Sequence, residues 1–145
     1  MQRYVTSRNN PHGAQILLKS SSGTFSTYSI GDDLHIGIFD RKCAVYSFCQ
    51  RGVVREDINT WAASLAILHL RDNCSFKLSS FLGHPYTQRK YNKMNYSMEN
   101  RNCFDFVVDY LNHSRCLPFY ISSKREFVEK FVVNDLMQRL RMIKM

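Results

Sequence analysis

The chain has 145 residues, of which 44% are hydrophobic and 13% aromatic, and its formal net charge is +8. This length suits one domain with its own core, and the apolar content argues against disorder. The apolar runs are too short to cross a bilayer, and the first residues lack the apolar stretch of a secretion signal. We therefore expect an intracellular protein, cytoplasmic or nuclear, with no transmembrane segment.

Cysteine number and spacing limit the chemistry further. The number is odd and no C-x-x-C pair occurs, so we expect reduced thiols rather than a disulfide framework. The spacing of histidine and cysteine does not match zinc ligands, and we expect no metal and no cofactor. The cysteines are Cys43, Cys49, Cys74, Cys103 and Cys116.

The first half of the chain has the pattern of a sheet. Residues 1–13 are polar and predict a flexible arm ahead of a single domain over residues 14–145. Leu34, Ile36 and Ile38 alternate with a second set of side chains, which predicts a strand with two distinct faces. The predicted strands are residues 14–19, 34–39, 43–49 and 64–70, the middle two forming a hairpin, with short extended pieces at 24–28 and 53–54.

The second half shows helical spacing instead. Gly83 and Pro85 stop a predicted helix of about three turns, and residues 86–101 are predicted to form a loop. Ser123, with Glu126 three residues later, has the pattern of a capping box before another helix. Further helices are predicted at 102–112 and from Asn134 onwards. Strands followed by helices predict an α+β fold with a small antiparallel sheet.

Cys103 stands at the start of the predicted helix over residues 102–112. Asn102 can cap this helix, and Asp105 places a negative charge in its first turn. A thiol at a helix N-terminus lies at the positive end of the helix dipole, which favours the thiolate. The pattern therefore suits a nucleophile, although it also fits an inert cysteine packed under a helix.

A cysteine nucleophile needs a base within reach, usually a histidine. His35 lies in the strand over residues 34–39, on the face opposite Leu34, Ile36 and Ile38. If the cysteine helix packs across the face of His35, the imidazole and the Cys103 thiol meet. The remaining histidines, which lie in the arm, at a strand end, beside a proline and at the far end of the cysteine helix, are His12, His69, His84 and His113.

Three stretches occur in the order of a known group of proteins. They are Leu34-His35-Ile36-Gly37-Ile38-Phe39, then Val45-Tyr46-Ser47-Phe48 with Gly52-Val53, and then Asn102-Cys103-Phe104-Asp105-Phe106-Val107. Together they resemble the permuted papain-like proteins of the NlpC/P60 type. These include the lecithin:retinol acyltransferase and phospholipase-acyltransferase group and the PPPDE peptidases.

This resemblance implies a cysteine-hydrolase fold with Cys103 as nucleophile and His35 as general base. The pair would attack a thioester, ester or amide carbonyl of an acylated or ubiquitin-like substrate. The acyltransferases carry a second histidine that orients the first, and the matching position here is Ser47. A serine is a weaker orienting group than a histidine, whereas the PPPDE-type enzymes manage with the pair alone.

A fuller resemblance, over residues 14 to 143, is to the makorin opposite-strand protein family. It implies the fold and the candidate residue pair rather than an activity. The residues that carry it are Leu17-Leu18-Lys19, Gly23-Thr24-Phe25, the segment from Asp33 to Ile38, Val45-Tyr46, Gly52-Val53, Trp61, Tyr96, Asn102-Cys103 and the segment from Phe127 to Val133.

Two function classes remain open. The first is a cysteine hydrolase or acyltransferase that uses Cys103 and His35. The second is a catalytically inactive interaction module whose basic surface, on a chain of pI about 9.4, binds an acidic protein partner. Nucleic acid is a third and weaker partner class, because the lysines and arginines are scattered rather than clustered.

Overall fold

The structure, a computed structural model, describes residues 13–21 and 33–143, apart from the side chains of Asn134 and Ile143. Its strands are β1 Gln15–Ser20, β2 Leu34–Phe39, β3 Ala44–Cys49, β4 Gly52–Asp57 and β5 Leu65–His69. Its helices are α1 Asp72–Gly83, α2 Pro85–Lys90, α3 Cys103–His113, α4 Lys124–Phe127 and α5 Asn134–Ile143. Short 3₁₀ turns span Ile58–Trp61 and Lys93–Asn95, and a π-helical turn, Val128–Val133, joins α4 to α5.

The fold is α+β, as the order of the elements predicted. The five strands form one antiparallel sheet in the order β4-β3-β2-β1-β5. The expected arm, apart from Gly13, and the expected extended piece at 24–28 lie outside the described residues. None of the described helices is long and apolar enough to cross a bilayer.

The predicted hairpin forms from β2 and β3. The Asp40 carboxylate accepts backbone N–H groups of Lys42, Cys43 and Ala44 at 2.8, 3.1 and 3.1 Å, which closes the tight connection. Beyond β3, the extended piece expected at residues 53–54 is a full strand, because β4 pairs along all of β3. Gly52 begins β4 with φ of +93°, a conformation that suits glycine.

The sheet buries side chains on both of its faces. On the main face, α3 packs across β2 and β3, and its apolar stripe joins the largest cluster of buried side chains. On the second face, Trp61 of the 3₁₀ turn packs against Leu17 and Val45. The strand residues buried in the main cluster are Ile16, Leu18, Ile36, Ile38, Phe48 and Leu68.

The loop predicted for residues 86–101 is wrong in part, because α2 lies within it. Pro85 occupies the first turn of α2, and the His84 Nδ1 accepts the Tyr86 N–H at 3.1 Å. Lys90 and Tyr91 both donate to the Asp109 carboxylate of α3, at 2.7 and 2.5 Å. Polar contacts to α3 therefore hold a helix that shows little apolar periodicity.

The predicted cap of the next helix is present. The Ser123 hydroxyl accepts the Glu126 N–H at 3.0 Å and begins α4. Phe127, Phe131 and Val132 are buried, and the π-helical turn keeps all three on the side of the core. These contacts place the last helix against β5, where the Arg139 guanidinium donates to the Ala66 carbonyl at 3.0 Å.

Candidate functional site

The first turn of α3 is fixed by reciprocal hydrogen bonds around Cys103. The Asn102 side chain accepts the Phe104 N–H at 2.9 Å, and the Asp105 carboxylate accepts the Asn102 N–H at 2.8 Å. This is a capping box with asparagine in the first position. Lys124 of α4 also binds the Asp105 carboxylate, at 3.0 Å. Cys103 is therefore held as the first residue of the helix.

The Cys103 thiol does not have the properties expected of an activated nucleophile. The residue is only 6% exposed and belongs to the main apolar cluster. Burial raises the pKa of the Cys103 thiol to about 11, and hydrogen bonding from the backbone at Ile36 and at the helix start opposes this rise only in part. The helix dipole was expected to favour the thiolate, but the loss of solvent outweighs it.

His35 lies on the second face of the sheet. Its ring packs on Trp61 with 5.3 Å between ring centroids, and the Lys19 Nζ lies 4.1 Å from the centroid of the Trp61 ring. Trp61 in turn donates its Nε1–H to Glu56 at 3.1 Å. Burial, followed by the nearby Lys19, lowers the pKa of His35 below its usual value. The imidazole is therefore kept neutral near pH 7.

Ser47 lies beside His35, at the position that the resemblance assigned to an orienting group. Its hydroxyl is 3.0 Å from the His35 Nε2, across the β2–β3 pair, and the residue is fully buried. Serine can donate to or accept from a neutral imidazole, so this contact fixes the ring orientation with either tautomer. The structure thus brings together two of the three predicted site residues.

The third predicted residue, Cys103, lies on the other side of the sheet. Successive side chains of β2 point to opposite faces, so Gly37 shares the face of His35 and Ile36 does not. A Cβ built on Gly37 would lie 3.1 Å from the Trp61 ring, whereas Ile36 is buried with Cys103 in the main cluster. Within the described residues no hydrogen bond joins His35 to Cys103. The condition that α3 packs across the face of His35 is therefore not met.

The other cysteines offer no replacement site. All five thiols are free, and Cys43 is the exposed one. Cys74 and Cys116 share a hydrogen bond that lowers the pKa of Cys74 and raises that of Cys116. Among the described residues no three His, Cys, Asp or Glu side chains converge as metal ligands would.

A groove that the sequence did not predict runs between the β3–β4 hairpin and the helices α1 and α2. It consists of two adjoining cavities of about 540 and 440 Å³, which share Tyr46 and Leu82 in their walls. We call this feature the hairpin groove. Its first cavity lies by the β2–β3 turn and α1, and its second by β4 and α2. The residues that line it include Asp40, Arg41, Lys42, Arg51, Arg55, Asp72, Phe76, Leu78, Thr87 and Lys93.

The two cavities of the hairpin groove differ in charge. The first has Arg41 and Lys42, together with the carboxylates of Asp40 and Asp72. The second has three cations and no carboxylate in its lining. Within the described part of the chain none of the five cations of the groove forms an ion pair. The cations of the second cavity are Arg51, Arg55 and Lys93.

Part of this groove had a signal in the sequence. Lys93 belongs to a basic stretch that begins at Arg89, and Val53 and Arg55 are two residues apart on β4, so they share a face. The sequence gives no indication that α2 packs opposite that face, because α2 was expected to be a loop. Without α2 as the opposite wall, the lysines and arginines of the hairpin groove are scattered along the sequence and form no recognisable cluster.

Comparisons with known proteins identify a family but no matching fold, since no solved structure matches the chain. The human MKRN2 opposite strand protein is 29% identical over 125 residues, which cover 81% of this chain and 54% of that protein. The chain therefore spans about half the length of the curated relative it matches. This similarity agrees with the makorin opposite-strand resemblance and adds no support for a papain-like relationship. The family described as DUF4796 C-terminal matches residues 4–145, and the chain belongs to that family.

Proposed function

We propose that this domain is a protein-interaction module whose basic surface binds an acidic partner, on a permuted papain-like scaffold without a working cysteine–histidine pair. One observation carries the absence of a working pair: Cys103, the first residue of α3, is buried on one face of the sheet, and His35 lies against Trp61 on the other. A general base must lie within hydrogen-bond reach of the proton it removes. A sheet between the two side chains prevents that contact.

The scaffold is proposed from the order of the elements. A strand with a histidine, its hairpin partner with Ser47 and a later helix that begins at a cysteine follow one another as the resemblance implies. The contact between His35 and Ser47 matches the position of the orienting group. The face on which α3 packs differs from what a working pair requires.

The binding role is proposed from charge. The chain carries 20 lysines and arginines against 12 carboxylates, and four ion pairs are present among the described residues. The excess includes the five cations of the hairpin groove. A concave surface with cations and apolar side chains suits a segment of an acidic protein, because such a partner offers both kinds of group.

Enzymatic acyl transfer is the second candidate. The position of Cys103 as the first residue of α3 favours it, because a backbone N–H at a helix start is a suitable donor to an oxyanion. It requires His35 and Cys103 to reach the same face of the sheet, which means moving α3 to the second face or shifting the register of β2 by one residue.

Site-resolved alkylation of the folded chain distinguishes the two candidates. We expect iodoacetamide to label Cys103 slowly, with a rate that still rises with pH above 9, because the thiol has a pKa of about 11. His35→Ala should leave that rate unchanged, and Cys43 serves as an exposed internal reference. If an acyl or ubiquitin-like probe labels Cys103 rapidly at pH 7 and His35→Ala abolishes this labelling, the domain is an enzyme instead.

A further inference from the structure

On the basis of the proposed function, we propose that the hairpin groove binds an extended acidic peptide in one direction. An apolar side chain of the peptide occupies the first cavity and its carboxylates occupy the second. The two cavities adjoin at Tyr46 and Leu82, so one continuous segment can reach both.

The first cavity offers the apolar contact. Phe76 of α1 is 78% exposed at its rim, while Leu78 is buried in its wall and Leu82 is half-buried beside it. An exposed phenylalanine beside a concave wall is typical of a binding surface, whereas a phenylalanine of a hydrophobic core is buried. Covering it with a leucine or phenylalanine of the partner removes apolar area of both from water.

The second cavity offers the charge contact. Arg55 is held in place because its Nε donates to the Tyr46 hydroxyl at 3.2 Å and its Nη2 to the Cys43 Sγ at 3.4 Å. Arg51 and Lys93 are exposed on either side, with no carboxylate in the cavity lining. Three cations that form no ion pair within the described residues favour carboxylates, and a guanidinium can bind a carboxylate with two hydrogen bonds.

A buried hydroxyl also points to a ligand at this end. Thr87 of α2 is 2% exposed and lines the second cavity, and its Oγ1 has no hydrogen-bond partner among the described residues. Buried hydroxyl groups are nearly always hydrogen-bonded. A polar group of a bound peptide would satisfy it after a small shift of the wall.

The charge distribution favours a peptide over a nucleic acid. A nucleic acid strand carries a phosphate at every step, so it would bring negative charge to the first cavity as well as the second. In the first cavity the carboxylates of Asp40 and Asp72 offset Arg41 and Lys42, so that cavity offers a strand no net positive charge. A peptide can place a neutral apolar residue there and confine its carboxylates to the other end.

The test uses the full chain and an array of decapeptides in which one leucine and three glutamates are placed in every order. We expect binding to depend on the order of leucine and glutamate as well as on the number of glutamates. The double variant Arg51→Glu/Lys93→Glu should weaken binding of the best peptide at least tenfold, and Phe76→Ser about threefold to tenfold. The double variant Arg115→Glu/Arg141→Glu, at two exposed arginines outside the groove, is the charge-matched control and should change binding less than twofold.

Other outcomes overturn the inference. If binding depends only on the number of glutamates and not on their order, a fixed direction is excluded. If Arg115→Glu/Arg141→Glu weakens binding as much as Arg51→Glu/Lys93→Glu does, the groove is excluded as the binding site. If a ten-nucleotide oligothymidine competes with the best peptide and binds as tightly as that peptide, the groove is a nucleic-acid surface. If no peptide of the array binds, an acidic peptide is excluded as the ligand. An array without a binder does not change the alkylation rate expected for Cys103. The absence of a working cysteine–histidine pair is therefore tested separately.

Discussion

The two faces of the sheet differ in how they exclude water. The main face is covered by α3, and its buried side chains are almost all apolar. The second face is covered mainly by Trp61, and polar groups pack around that ring: His35, Ser47, Lys19 and Glu56. The cysteine on the first face is shielded from solvent, and the histidine on the second face is held by a hydrogen bond to Ser47 and by ring contact with Trp61. Two residue types that suggest catalysis therefore have separate structural roles.

Truncation of the main face should have the largest effect. Phe106 is fully buried on α3 and packs against Phe81 and Tyr91, so Phe106→Ala leaves a cavity. We expect the free energy of unfolding to fall by about 3–5 kcal/mol, measured by urea denaturation. Phe76→Ala, at an exposed site, is the matched control and should stay within about 0.5 kcal/mol. Similar losses in both variants would mean that α3 does not cover this face.

Gly37→Ala tests which side chains share the second face. The added methyl would meet Val45 Cγ1 at 2.8 Å and the Trp61 ring at 3.1 Å. We expect a loss of about 1–3 kcal/mol from overpacking. Trp61 is the single tryptophan, so its fluorescence reports the same change. An unchanged spectrum and an unchanged stability would place Gly37, and with it His35, on the other face.

Ser47→Ala removes the hydroxyl that orients His35. The loss of this buried hydrogen bond should cost about 1 kcal/mol of unfolding free energy. Ser47→Thr keeps the hydroxyl and separates its loss from the effect of volume. If Ser47→Ala is neutral while Ser47→Thr is destabilising, packing rather than the hydrogen bond determines this site.

Acid should destabilise the second face through His35. The pKa of His35 in the folded chain lies below its ordinary value of 6.5, so the unfolded chain takes up a proton first as pH falls. The contribution of neutral His35 to the free energy of unfolding is therefore fully present above about pH 6.5 and declines below it. Denaturation at several pH values should show a shallower decline for His35→Gln. An NMR titration that gives His35 a pKa above 6.5 would contradict the burial of its ring.

Four of the five strands were predictable because their signals are local, whereas β4 was expected only as a short extended piece at residues 53–54. Alternation of Leu34, Ile36 and Ile38 gave β2 its correct bounds, and a break near Gly31 and another at residues 40–42 delimited it. The helix α2 was missed, because its contacts are polar and its partner Asp109 lies about twenty residues away. Pro85 at its first position was the available signal.

The side of the sheet that α3 covers was also open to prediction. An amphipathic helix buries the more apolar strand face, which is the one with Ile36 and Ile38 rather than the one with His35 and Gly37. The resemblance to cysteine hydrolases suggested the opposite choice. Burial of Cys103 could not be predicted in the same way, because it depends on how far the helix start reaches over the strands.

The position of β1 inside the sheet matters while the chain is being made. β2, β3 and β4 follow one another with short turns, whereas β1 obtains its second neighbour only when β5 arrives, with Gln15 and His69 paired across 54 positions. Contacts of such separation form slowly, because a long loop must close first.

Until residue 70 has left the ribosome, one edge of β1 has unpaired backbone groups. This strand contains Ile16, Leu17 and Leu18, whose side chains are buried in the folded domain. Such an edge can pair with another chain. The interval before β5 emerges therefore leaves open a strand edge that the folded domain pairs.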